Sequence, residues 1–187
     1  EKMNYPDNRE GMFEAFKGSW DRELADAHIA ALLALGDGVS PPEGVVESAE
    51  RSVFMDIYAA QARFHMKTFG TTQRQIAAVA AKNHDHSVLN PYAQYRFPMT
   101  VDDVLADRVI TWPITRSMCA PMSDGACALV VASRSAATRL GDGRAVGITG
   151  IAASSSSNRT GEQYDCHLAR VAADRAYGMA GVGPADI

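Results

Sequence analysis

The segment 117–133, which reads SMCAPMSDGACALVVAS, constrains the fold more than any other part of this sequence. Asp124-Gly125 in its middle predicts a turn, and residues 127–132 form an uninterrupted apolar run. A strand buried on both faces is one interpretation of this run, and a buried helix that begins at Ser123 or Asp124 is the other. Periodicity does not separate the two, so both stay open; if the run is a strand, a helix is expected to follow over 135–140.

The same segment holds two of the three cysteines, Cys119 and Cys127, and the third is Cys166. Cys119 precedes a turn, where a thiol could act as a thiolate nucleophile. A free cysteine is more often a small buried apolar residue, and that interpretation is favoured for all three. The number is odd and no CxxC pair occurs, which argues against a disulfide framework and a structural zinc site. Reduced thiols predict a cytoplasmic location.

Composition excludes several classes of protein. The 187 residues are 47% hydrophobic and 21% charged, as in an ordinary globular protein, and the net charge is −4. Nucleic acids and anionic membranes require a basic surface, so neither is expected as a partner. No apolar run reaches the roughly 18 residues of a membrane span. The first residues show no signal-peptide pattern, and both ends read as the middle of a longer protein.

Hydrophobic periodicity, capping residues and proline positions predict the remaining elements. Thr71 or Thr72 is expected to cap one helix and Thr100 a second, short one. Residues 82–98 are polar, aromatic and rich in proline, which predicts a loop. The other predicted elements are helices over 21–35, 48–69 and 161–179, a strand over 109–114 limited by Pro113, and a strand over 144–153.

Histidines are the other candidates for chemistry. His84 and His86 stand two residues apart, a spacing that could bind zinc on a strand, but no third ligand is nearby. Hydrogen bonding that fixes the loop is the favoured role, and no metal site is predicted. His65 near the end of a helix is a weak signal alone. No GxGxxG, Walker A or GxSxG motif occurs.

Four segments together resemble the thiolase superfamily, most closely its sterol-carrier-protein / lipid-transfer-protein branch. They are HMKTFGTT, KNHDHSVLNPYAQYR, MTVDDVLADRVI and MCAPMSDGACALVVAS, and they occur in the order and spacing of that family. The last residues, AADRAYGMAGVGPADI, resemble the helix and turn that lead into the family's next strand. The resemblance is good over 54–140, fair from there to residue 187, and thin before residue 54.

The resemblance implies a thiolase-like α/β fold, with mixed sheets layered with helices and a mostly helical loop domain that covers coenzyme A. Residues 1–115 would be a portion of the loop domain. Residues 116–143 would end the first thiolase half, and residues 144–187 would begin the second half.

The resemblance also implies which residues contact the ligand. His65 and Met66 align with a pair that classical thiolases place against pantetheine, and Ala120, Pro121 and Met122 align with the opposite side of that channel. Classical thiolases carry Ser-Gly where this chain has Ala120-Pro121, so a serine contact is not expected. The family's acylated cysteine, its Gly-His-Pro histidine and its second cysteine match nothing here. No catalytic residue is therefore assigned, and the chain alone is expected to be inactive.

The implied function is that of a thiolase-like acyltransferase of lipid metabolism, such as an acetyl-CoA acetyltransferase, which makes or breaks a carbon–carbon bond next to an acyl-CoA thioester. Coenzyme A or acyl-CoA is then a substrate, no permanent cofactor is expected, and the protein is a homodimer or larger oligomer. Two alternatives stay open. One is a retro-aldolase of the same superfamily that acts on a steroid side-chain acyl-CoA with a small partner protein. The other is a non-catalytic subunit that binds acyl-CoA or lipid.

Overall fold

A computed structural model describes residues 23–121, 124–141, 145–155 and 159–187. The chain divides into two compact units, residues 1–123 and 124–187. No helix among the described residues is long and apolar enough to cross a membrane.

Two helices begin the described part of the first unit. Helix α1 spans Ala25–Ala34 and helix α2 spans Val53–Phe69. Ile29, Val53 and Ile57 form a buried apolar cluster between them. Both helices lie inside the ranges that periodicity predicts, and Gly70, with φ 70°, ends α2 in the left-handed conformation that glycine tolerates.

Helix α3 spans Gln73–Val88 and corrects the loop predicted over 82–98. Thr72 caps it, since the Thr72 side chain accepts from the Gln75 amide while the Gln75 side chain accepts from the Thr72 amide. Ala77 and Ala81 are buried against helix α4, which spans Val101–Ala106. This buried face extends the helix to Val88 although its last turns are polar.

A short hairpin follows α4. Strand β1, Val109–Thr111, pairs antiparallel with strand β2, Ile114–Thr115, around a cis Trp112–Pro113 peptide bond. The strand predicted over 109–114 is thus confirmed as far as Thr111. The Arg63 guanidinium of α2 donates to the Trp112 carbonyl at 2.7 Å and so ties the hairpin to the helix. A 3₁₀ turn, Arg116–Met118, leads out of β2.

The second unit contains helix α5, Arg134–Leu140, and helix α6, Leu168–Ala180. Helix α6 begins later than the predicted residue 161, and a 3₁₀ turn at Tyr164–Cys166 precedes it. A Cβ at Gly150 would collide with the Ala176 carbonyl oxygen, so the segment 145–155 approaches α6 closely.

The strand predicted over 144–153 is not formed in the described residues 145–155, and 124–133 is neither strand nor helix. A strand requires a hydrogen-bonded neighbour, and the described part of this unit supplies none. The only sheet in the described residues is the two-stranded β1–β2 hairpin. About half of the described chain is helical, and the predicted layered sheets are not seen in it.

Candidate functional site

One pocket in the first unit has a volume of about 330 Å³. Its walls come from the last turns of α3, from the loop after that helix, and from the segment 117–121. The lining residues are Ala80, Asn83, His84, Ser87, Ala93, Gln94, Tyr95, Ser117, Met118, Cys119, Ala120 and Pro121. None of these described residues is Asp, Glu, Lys or Arg, so the pocket suits a neutral group with apolar surface and a few polar atoms.

Asp107 fixes one wall of this pocket. Its carboxylate accepts hydrogen bonds from the Ser117 hydroxyl and from the Arg108 amide, and it lies 3.2 Å from Nη2 of Arg116. Burial alone would raise the pKa of Asp107, but the hydrogen bonds from Ser117, Arg108 and Arg116 outweigh it and hold the pKa below its usual value. The carboxylate is therefore ionised near neutral pH and holds the turn that carries Ser117.

His84 joins α3 to the same wall. Its Nε2 atom lies 3.2 Å from the Ser117 carbonyl oxygen, which can only accept, so Nε2 carries the proton. Nδ1 of the ring is buried and has no hydrogen-bond partner among the described residues. The ring also packs at 5.3 Å from the ring of Phe97. Hydrogen bonding by His84, which the sequence predicts, is present, but His84 lies on a helix and not in a loop.

Ser117, His84 and Asp107 do not form a nucleophilic triad. The Ser117 hydroxyl donates to Asp107, whereas His84 contacts the Ser117 carbonyl and not its hydroxyl. A serine nucleophile requires the base at its own hydroxyl. These contacts position the wall and supply no activated nucleophile.

Cys119 is half-buried at the edge of the pocket. Its thiol lies 3.4 Å from Sδ of Met55 and 3.5 Å from the Thr115 carbonyl oxygen. Burial raises the pKa of the Cys119 thiol, and the negative charge of Asp107 raises it further. A raised pKa keeps the sulfur protonated, which is the opposite of what a thiolate nucleophile requires. Cys127 and Cys166, expected to be buried, are exposed.

The predicted ligand contacts fall in two places. Ala120 and Pro121 line the pocket, and Met122 lies outside the described residues. His65 and Met66 are not among the residues that line it, and the exposed His65 ring contacts Thr71 Oγ1 at 2.8 Å and the Phe69 ring. Met55 contacts the pocket residue Cys119, and His65 lies ten residues further along α2, about 15 Å from Met55. A common channel for all five residues stays a prediction.

His84 and His86 point in different directions because residues two apart on a helix do not face each other. His84 Nε2 is engaged by the Ser117 carbonyl, which leaves it unavailable to a metal ion. Across the ranges that the structure describes, no group of three or more His, Cys, Asp or Glu side chains is placed to hold a metal. The absence of a functional metal stays a prediction.

Asn83, Gln94 and Tyr95 are pocket residues that sequence reasoning did not identify. The sequence predicts a loop over 82–98, and such a loop gives no reason for Asn83 and Gln94 to share a cavity. The buried Ala77 and Ala81 spacing, continued by one helical turn, would have placed Asn83 on α3.

Comparison with known proteins identifies homologues in one superfamily. The chain is 27% identical over 157 residues to the benzoylsuccinyl-CoA thiolase subunit BbsB of Thauera aromatica, covering 83% of this chain and 41% of that protein. It is 30% identical over 130 residues to an acetyl-CoA acetyltransferase of Methanothermobacter thermautotrophicus, covering 66% and 33%. It is 31% identical over 140 residues to sterol carrier protein 2 of Rattus norvegicus, covering 70% and 25%.

These homologues are thiolase-family proteins, which confirms the resemblance predicted from the sequence motifs. The chain spans between a quarter and about two fifths of the length of these relatives. No protein-family model matches the chain.

Proposed function

We propose that this chain, a homologue of thiolase-family proteins, forms the coenzyme A-binding central part of a protein that acts on acyl-CoA thioesters. The reaction of that protein is carbon–carbon bond cleavage or formation next to the thioester, with acyl transfer to coenzyme A. The catalytic cysteine and histidine lie outside this chain. Coenzyme A is a substrate here, with no permanently bound cofactor.

The observation that carries the proposal is the uncharged pocket beside Ala120 and Pro121. Coenzyme A has a highly charged nucleotide end and a neutral, narrow pantetheine arm. A pocket of about 330 Å³ without charged side chains suits the arm and not the phosphates. The arm therefore lies against Ala120 and Pro121, and His65, Met66 and Met122 are proposed as contacts further along it.

A partner subunit is part of the proposal. One relative is named as a subunit of a thiolase. We extend this to a homodimer or larger oligomer, with a small partner protein if the reaction is a retro-aldol cleavage. The three free cysteines support a reducing, cytoplasmic location.

Ala120→Trp in the complete protein tests the pocket. The exposed Ala120 can accept a larger side chain without disturbing the core, and an indole at that position fills the space that the arm requires. We expect the KM for acyl-CoA to rise roughly tenfold or more, a loss of about 1.4 kcal/mol in binding free energy. Steady-state kinetics and isothermal titration with coenzyme A measure it.

Ala78→Trp is the matched control, because Ala78 is an exposed α3 residue outside the pocket. Its KM should equal that of the wild type. An unchanged KM in a folded Ala120→Trp protein would contradict the proposed position of the arm.

Labelling of Cys119 locates the ligand independently. Coenzyme A in the pocket should slow alkylation of Cys119 by N-ethylmaleimide, while the exposed Cys127 on the same tryptic peptide reports general reactivity. Tandem mass spectrometry distinguishes the two positions. Equal rates at Cys119 with and without saturating coenzyme A would count against this function for the pocket.

A further inference from the structure

Half of the polar side chains that line the pocket are already engaged within the protein. The Ser117 hydroxyl donates to Asp107, and Nε2 of His84 donates to the Ser117 carbonyl. The Ser87 hydroxyl donates to the His84 carbonyl at 2.6 Å. These three side chains shape the wall and have their donors committed.

The other three polar lining side chains are Asn83, Gln94 and Tyr95. Within the described parts of the chain, the two carboxamides and the phenol hydroxyl have no hydrogen-bond partner, although the Tyr95 ring packs 5.9 Å from the ring of Phe97. Asn83 belongs to α3 and Gln94 to the following loop, so the free amides come from two different elements.

A side-chain carboxamide carries both a donor and an acceptor, as a peptide-type amide does. Two such groups in a cavity without charges are complementary to a neutral ligand with amide groups. The pantetheine arm contains two amides joined by short apolar links. A ligand that offers only carbon and sulfur would leave both carboxamides without partners when it displaced their water, at a cost in affinity.

We propose that Asn83 and Gln94 bind the amide groups of the pantetheine arm and make the site selective for thioester carriers that contain those amides. This inference rests on the proposed function, since it assumes that the arm enters this pocket. Tyr95 lies beside Gln94 and offers its hydroxyl as a further hydrogen-bonding group for the same arm.

Asn83→Leu and Gln94→Met in the complete protein test the inference, because each removes the amide at nearly constant volume. Both positions are exposed, so neither change disturbs the buried core. We expect each to weaken coenzyme A binding roughly three- to tenfold, the net effect of one lost hydrogen bond. Gln61→Met, at an exposed α2 position outside the pocket, should leave the Kd unchanged.

A second measurement compares carriers. N-acetylcysteamine thioesters contain one amide, so in the wild type they should bind more weakly than pantetheine thioesters of the same acyl group. Gln94→Met or Asn83→Leu should narrow that difference severalfold. A difference that both variants keep in full would overturn the assignment of these two residues.

The outcomes separate the inference from the function beneath it. Protection of Cys119 by coenzyme A together with an unchanged Kd in both variants would refute the role of Asn83 and Gln94 and leave the pocket as the pantetheine site. No protection of Cys119 in the wild type would refute both. Protection by a steroid or acyl ligand but not by pantetheine would assign the pocket to the acyl group and also refute the inference.

Discussion

Cys119 shows how the surroundings of a single side chain decide its chemistry. The sequence places it before a turn, a position compatible with a reactive thiol. In the structure, burial and the charge of Asp107 both favour the protonated form, and the sulfur packs against Met55. From sequence alone the buried interpretation is only the commoner one, because Asp107, whose charge raises the pKa, lies 12 residues away in the chain and Met55, which packs against the sulfur, lies 64 residues away.

Cys119→Ala in the complete protein should therefore keep most of its activity and its covalent acyl-enzyme. We expect a loss of about 1 kcal/mol in the free energy of unfolding, because the Met55 contact leaves a small void. Acyl-enzyme formation is followed by intact-protein mass spectrometry. Cys127→Ala, at an exposed position, serves as the comparison, and loss of the acyl-enzyme in Cys119→Ala alone would identify Cys119 as the nucleophile after all.

The other site residues also differ in how far the sequence predicts their role. The family resemblance predicts Ala120 and Pro121 as ligand contacts; both line the pocket, and their contact with a ligand stays a prediction. Asn83 and Gln94 could not be predicted in this way, because their proximity depends on α3 continuing past residue 82. His84 is intermediate, since its hydrogen-bonding role is readable from the sequence but its partner, the Ser117 carbonyl, is not.

At the level of elements, capping residues predict helix starts better than composition predicts helix ends. Thr72 and Thr100 both cap as expected, each with a complete capping box. The predicted loop over 82–98 was wrong for the last turns of α3 because these turns are polar. A polar segment predicts a loop unless its contact with α4 is known. The predicted strand over 144–153 was wrong for a different reason. Its residue pattern favours a strand, but the described residues contain no partner strand for it.

Thr72→Ala tests how much the cap contributes to α3. Loss of the Thr72 hydroxyl removes one of the two acceptors of the Gln75 amide and leaves it only the Thr72 carbonyl oxygen, so we expect the free energy of unfolding to fall by about 1 kcal/mol. Urea denaturation followed by circular dichroism measures this change. Thr68→Ala, at an exposed position inside α2, should be neutral or slightly stabilising because alanine favours helix interiors. Equal effects in the two variants would show that the cap contributes nothing.

For the whole molecule, the motifs identify the superfamily, while the layered sheets expected from it are not formed by the described residues. The apolar side chains of Val130, Val131, Val146 and Ile148 are 70% to 91% exposed. Such residues are typical of strands inside a sheet, and a sheet forms only when its neighbouring strands are present. The pattern can therefore be correct for the family and still produce no strand over the described residues 124–133 and 145–155.

Hydrogen exchange tests this explanation. In the isolated 187-residue chain, we expect the amides of 124–133 and 145–155 to exchange as fast as those of an unfolded peptide, because they have no strand partner in the described structure. Amides in the middle of α3 should exchange much more slowly. In the complete protein both segments should become protected. Mass spectrometry of peptic fragments measures it, and strong protection in the isolated chain would mean that these segments find partners by themselves.

Because the Asp107 carboxylate holds the pocket wall, the stability of this wall depends on pH. Its pKa in the folded protein is lowered, so the stability it contributes is complete above its unfolded value of about 3.9 and is lost as the pH falls through the lower folded value. We expect Asp107→Asn to lower the free energy of unfolding at neutral pH. The variant should also lose less of this free energy than the wild type when the pH is lowered below about 4. Asp102→Asn, which removes an exposed ion pair with Arg74, should change little at either pH.

Protonation of Asp107 also removes the charged acceptor that orients Ser117, and Ser117 in turn holds the His84 ring. Acid should therefore release both sides of the pocket together, and the affinity for coenzyme A should decline with the same midpoint as the stability. Binding of the pantetheine arm at the proposed site would then have an acid limit that the titration of Asp107 sets.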